Sequence, residues 1–232
     1  MVQSNVKDLH SNEILIHSIG YGLLLFVLID VVDIVFPYHF MDAVWEFQTI
    51  GALVERVPLP LIGLVLVFYK ETNFRTKWEP SILKLLSQAS LLVGIVFLLL
   101  IVLCVSDSLR INKMNDDRVN TQTNQELSTL QQTEQRINKA TNTELASFFN
   151  QLNGQTTAPN IQNPQELRNR LLGEINKSKN QLKTESEQLR RTRRLELIKS
   201  VVKWSFGCLI AGDLFIRVWQ STRWARKATK RN

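Results

Sequence analysis

The chain alternates between two solvents. Residues 14–105 are overwhelmingly Leu, Ile, Val and Phe. Residues 106–199 are rich in Asn, Gln, Thr, Glu, Lys and Arg, and residues 200–220 turn apolar again. An apolar block, a polar block and an apolar block in one chain predict lipid, water and lipid. The overall hydrophobic fraction of 44% is only the average of these unlike parts.

Residues 14–36 give a helix of roughly 34 Å at 1.5 Å per residue, enough to cross a bilayer, and Pro37 stops it. The run is too long for the core of a signal peptide and no Ala-x-Ala-like site follows it, so it is expected to be retained. Residues 82–105 predict another span, its stretch 91–105 interrupted only by Gly94 and Cys104. Residues 201–219 predict the last, closing on Trp219 with Trp224 beyond, rings of the kind found at headgroup level. Between the first two, the apolar run 59–69 measures only roughly 17 Å. A full crossing needs residues 50–57 as well, which bring the adjacent charges Glu55 and Arg56, with Pro58 and Pro60 fitting a helix start or kink. Residues 50–69 therefore read as a short second span, or alternatively as a re-entrant segment. Residues 40–50 read as a short amphipathic helix in the interface, resting on Met41, Val44, Trp45 and Phe47.

Four spans leave Lys7, Lys70, Arg75, Lys77, Lys84, Arg223, Arg226, Lys227, Lys230 and Arg231 on one side, and only Arg56 in the short loop of the other. The positive-inside rule then makes both termini cytoplasmic and puts the polar block on the far side. Arg190, Arg191, Arg193, Arg194 and Lys199 run against that rule, although long loops weigh little in it. A re-entrant 50–69 would return the polar block to the cytoplasm.

The polar block reads as two long helices. Residues 107–152 contain no Gly or Pro and carry Leu127, Leu130, Ile137, Leu145, Phe148 and Leu152. Gly154, Pro159 and Pro164 mark a turn, with Asn163 a cap before Pro164. Residues 165–199 then carry Leu167, Leu171, Ile175, Leu182 and Leu189, the last three at heptad spacing. A narrow apolar stripe on each arm suits an antiparallel pair better than a globular core. The expected fold is an all-α integral membrane protein of about four transmembrane helices. Its parts are residues 1–105 (spans 14–36, 50–69 and 82–105), a water-exposed, coiled-coil-like helical hairpin at 106–199, and residues 200–232 with the final span and a basic tail.

The net charge of +7 falls mainly beside apolar runs, where anionic headgroups attract it, so membrane lipids rather than nucleic acid are the expected partners. Cys104 and Cys208 both lie in apolar segments and read as buried thiols, neither a disulfide framework nor a metal site. His10, His17 and His39 have no metal spacing, and no nucleophile triad or phosphate loop appears, so no cofactor and no enzymatic activity are expected. Intramembrane charge is the remaining signal. Asp30 and Asp33 lie one turn apart on the first span, and such carboxylates need pairing, protonation or an interfacial position. Asp213 and Arg217 stand at i and i+4 on the last span, a pairing distance on one helix face. Ile175, Leu182 and Leu189 are the candidate partner-binding positions of the hairpin.

The segment Trp45-Glu46-Phe47-Gln48-Thr49-Ile50-Gly51-Ala52-Leu53-Val54-Glu55-Arg56-Val57-Pro58-Leu59-Pro60-Leu61, continuing into Gly63-Leu64-Val65, resembles the HpsJ-like proteins of cyanobacteria. These share apolar spans, a stretch of the form LVERxPxPLxG, a Gln-rich coiled-coil region and an Arg-rich run into a final span, here Arg190-Arg191-Thr192-Arg193-Arg194. The resemblance implies a membrane protein accessory to exopolysaccharide biosynthesis or secretion and carries over no catalytic residue. The function expected is a non-enzymatic membrane-anchored scaffold whose hairpin binds other membrane or envelope proteins, a second copy of the chain among the candidates. Its expected place is the inner membrane or the thylakoid. An accessory subunit of another membrane complex, such as a photosynthetic one, is the alternative, and a small transporter or proton-handling protein the third reading.

Overall fold

The computed structural model describes residues 2–69, 79–145, 147 and 164–228. Every regular element among them is a helix: α1 (Val2–Val35), α2 (Ala43–Arg56), α3 (Pro58–Val67), α4 (Glu79–Lys139), α5 (Pro164–Ser221) and α6 (Arg223–Ala228). Of the proposed turn at 153–164, residues 153–163 with the Asn163 cap lie outside the described residues, as do Lys70, Arg75 and Lys77, while Pro164 opens α5. Contacts divide the chain into two units, Met1–Ile111 with Leu197–Asn232, and Asn112–Glu196.

Two helices in the first unit are long and apolar enough to cross a membrane, α1 at Ile14–Val35 and α4. A third crossing results if α2 and α3, bent by 41° at their junction, form one span. The faces of α1 and α4 fit that environment: Leu25, Phe26, Leu28 and Ile29 on α1, and Leu85, Leu92, Leu99 and Val102 on α4, are all exposed. In water each would forgo roughly 1.5–3 kcal/mol of burial; in hydrocarbon they are solvated. The 201–219 segment is helical within α5, but Lys203, Asp213 and Arg217 lower its hydropathy, and it is not among the helices that qualify.

The bend falls where Pro58 follows Val57. Proline lacks the N–H that would continue α2 and is well suited to the first turn of α3. The boundary drawn at residue 50 is not there. Asp42 caps α2 through its carboxylate, which accepts from the Val44 N–H at 2.9 Å, and the helix then runs unbroken to Arg56. The opposite ends of the α2–α3 pair meet different parts of α4. Glu46 in the first turn of α2 reaches Arg110, whereas Val67 at the end of α3 shares a small core with Leu83 and Ala225. Leu83 and Arg110 are separated by roughly 40 Å of continuous helix at 1.5 Å per residue.

Glycines set how closely these helices pack. A Cβ on Gly20 would stand 3.0 Å from the backbone nitrogen of Val67 and 3.1 Å from the carbonyl oxygen of Gly63. Gly94 and Gly212 face each other likewise, each with its Cβ position 3.1 Å from the other's carbonyl oxygen. Removing side chains at a crossing lets two backbones approach, which is how helices associate where lipid supplies no hydrophobic drive. Around the second crossing Phe97 stacks on Phe215, with ring centroids 5.9 Å apart. Ser90 Oγ donates to the Phe215 carbonyl at 2.7 Å, and Cys104 and Cys208 are fully buried. Beyond it, Arg226 donates to Ser87 Oγ at 2.5 Å and to the Trp219 carbonyl at 2.6 Å, with its guanidinium 4.5 Å from the Trp219 ring centroid.

In the second unit the two long helices are joined by side chains in reversed order. Glu134 pairs with Lys179, Asn120 with Arg190, and Arg168 donates to the Ala140 carbonyl at 2.8 Å. One compact apolar cluster holds them: Ile137, Ala140 and Leu145 against Leu167, Leu171 and Ile175, with Leu130 and Leu172 at its edge. The first arm does not run unbroken to residue 152, as the absence of Gly and Pro suggested. It ends at Lys139, and Thr141 opens a new turn. The Thr141 N–H and hydroxyl both donate to Glu144 Oε2, at 2.7 and 2.8 Å, and these two bonds hold the Glu144 carboxyl below the usual range.

Candidate functional site

Three ion pairs converge on α2, one to each of three other helices. Near its end, Arg56 Nε lies 3.5 Å from Asp30 of α1, and Glu55 accepts from Lys203 of α5 at 2.7 Å. Both pairs are about half exposed. Solvent screens pairs this exposed, so they fix register more than they stabilise. On the turns before them, Gly51 and Phe47 pack on Trp204, and Val54 fills the space at Gly207.

The third pair sits in the first turn of α2 and belongs to a closed ring of contacts. Glu46 Oε1 accepts the Met41 N–H at 2.9 Å, and Arg110 Nη2 donates to the Met41 carbonyl at 2.8 Å. Arg110 Nη1 lies 3.5 Å from Glu46 Oε2 and 3.2 Å from Asp107 Oδ1. Met41 is held in the left-handed region at φ 76°, a conformation that costs a non-glycine residue about 1 kcal/mol or more and persists only when neighbours enforce it. The Asp107 side chain is fully buried, and its Oδ2 has no hydrogen-bond partner. Two carboxylates thus face one guanidinium. Burial, and then Glu46, push the Asp107 carboxyl up to about 6 against the opposing pull of Arg110.

The residues singled out in the sequence are dispersed. Asp30 pairs with Arg56, while Asp33, one turn on, is exposed. Arg217 Nε donates to Asp213 Oδ2 at 2.7 Å on an exposed face of α5. Ile175 lies inside the cluster joining the arms, Leu182 is half-buried and Leu189 exposed. Leu182 also lines a groove of about 480 Å³ with Leu130, Thr129, Ser178, Gln125 and Gln181. Among the described residues no group of His, Cys, Asp or Glu is arranged to hold a metal ion. Sequence reasoning missed Glu46, Asp107, Arg110 and Lys203. Asp107 follows an apolar run and Glu46 starts a capped helix, so the only available signal was an acidic residue next to each boundary.

Close glycine crossings, lipid-compatible outer faces and charges gathered at the helix ends define an all-helical protein with two or three candidate membrane spans. The family model for HpsJ-like proteins matches residues 13–223, and the chain belongs to that family. No curated protein and no solved structure matches.

Proposed function

We propose that this HpsJ-like protein is a non-enzymatic membrane anchor and scaffold in exopolysaccharide biosynthesis or secretion, and that residues 106–199 dock a protein partner. The chain crosses the bilayer four times, with both termini cytoplasmic and the paired arms on the other side. The family supports the process. The crossing of α2 and α3 is supported by their contacts, because a re-entrant pair would not reach positions on α4 that are roughly 40 Å apart. The fourth crossing, α5, is supported by its packing on α4 along the Gly94–Gly212 contact. Asp213 and Arg217 neutralise each other there, which such a segment requires.

The observation that carries the docking role is the partial use of the arms' apolar stripe. Its core closes over Leu171 and Ile175, while Leu182 stays half-buried beside the groove and Leu189 exposed. Leu182→Asp with Leu189→Asp therefore abolishes partner capture, a loss of tenfold or more in co-purified protein from about 1.4 kcal/mol or more of lost contact. Insertion and helix content stay as in the parent chain. Undiminished co-purification by the double variant would overturn the docking role.

A further inference from the structure

The ring of contacts at the start of α2 has one atom too few. Asp107 Oδ2 is buried and partnerless, while Asp107 Oδ1 and Glu46 Oε2 share the Arg110 guanidinium at 3.2 and 3.5 Å. Two deprotonated carboxylates can only accept, so neither can satisfy the other. A proton on Asp107 turns Oδ2 into the missing donor and leaves one negative charge for one guanidinium.

We propose that Glu46 and Asp107 form a binding site for a single proton, clamped by Arg110, whose occupancy holds the segment 36–42 on α4. When the proton leaves, a second negative charge appears in a buried site with no second cation. The ring then opens at Met41, whose left-handed backbone is held by Glu46 and Arg110 within the turn closed by the Asp42 N–H to the His39 carbonyl at 3.1 Å. The groups around the site leave it isolated. From α2 comes Glu46, from the segment the Met41 carbonyl, and on α4 Arg110 and, one turn back, the thiol of Cys104. Lys203 of α5 is engaged by Glu55, Asp42 caps α2, and the His39 ring is bonded to the Pro37 carbonyl. The sign follows from the raised Asp107 carboxyl. The folded state holds the proton more tightly than an unfolded chain does, so the docked form is favoured at low pH and weakens as pH rises through about 6.

A nitroxide on Met41→Cys tests this in the full chain in lipid nanodiscs. Met41's side chain is 84% exposed, and the native thiols Cys104 and Cys208 are fully buried and stay unlabelled. The mobile spectral fraction rises about threefold or more between about pH 4.5 and about pH 7.5, as expected when such a site empties. Asp107→Asn keeps an amide donor at the orphan position and holds the label immobile at both values. Glu46→Gln leaves one carboxylate to one guanidinium and moves the transition below about pH 5. His39→Gln retains the parent's transition. A flat response in the parent overturns the proposal, and so does a transition that survives Asp107→Asn or disappears with His39→Gln.

Discussion

Leu171→Asp separates the two arms of the polar unit. Leu171 is fully buried in a small cluster that joins them, beside Ile137, Leu145, Leu167 and Ile175. Losing a core leucine costs about 2–5 kcal/mol on its own. An unpaired carboxylate in the same place adds about 3 kcal/mol or protonates. Among the described residues the arms also meet through the polar contacts Glu134–Lys179 and Asn120–Arg190, and surface pairs of that kind return about 1 kcal/mol at most. The expected result, read by hydrogen exchange, is loss of protection at 130–145 and 167–180 together, because the helices depend on each other for burial. Protection equal to that of the parent chain would mean that the cluster does not hold the arms.

Gly94→Leu drives α4 and α5 apart within the apolar unit. The first added atom already stands 3.0 Å from Ile216 Cγ1, 3.1 Å from the Gly212 carbonyl oxygen and 3.3 Å from Phe215 Cβ. The backbone oxygen cannot turn aside, so the branched remainder of leucine has room only if the helices separate. The cost is about 3 kcal/mol or more, at the upper end for overpacking. Cys104 and Cys208 report it directly, since both are fully buried in this unit and become reactive only when it opens. A thiol-reactive dye therefore registers unfolding at a temperature roughly 6–12 °C lower in Gly94→Leu. Gly94→Ala shifts it by less, because a single methyl asks for a few tenths of an ångström. Equal reactivity of all three chains would contradict the close crossing.

What the sequence made legible was the pattern of solvents. Runs such as 91–105 have one physical meaning whatever surrounds them, and the stripe from Leu167 to Ile175 follows from helical period alone. Pro58 marked a break because a missing N–H acts locally. The first arm's end was hidden by reading for Gly and Pro only. The spacing Thr141-x-x-Glu144 was a start signal in plain view. The charge ring at α2 was not legible, because it joins residues 41–46 to residues 107–110 through tertiary packing, and nothing within either segment names the other. Asp30 and Asp213 drew notice for sitting in apolar runs, yet Arg56 and Arg217 pair with them. The buried, partly satisfied carboxylate is Asp107, at the edge of such a run.

The central claim is four crossings with the paired arms opposite the termini, and cysteine accessibility in intact cells tests it most directly. Single cysteines at Ser147, exposed in the second unit, and at Thr229 are placed in a background with Cys104 and Cys208 replaced. A membrane-impermeant thiol reagent is expected to label position 147 and spare position 229. Labelling of 229 with protection of 147, or equal protection of both in intact cells and labelling of both after lysis, would contradict the account.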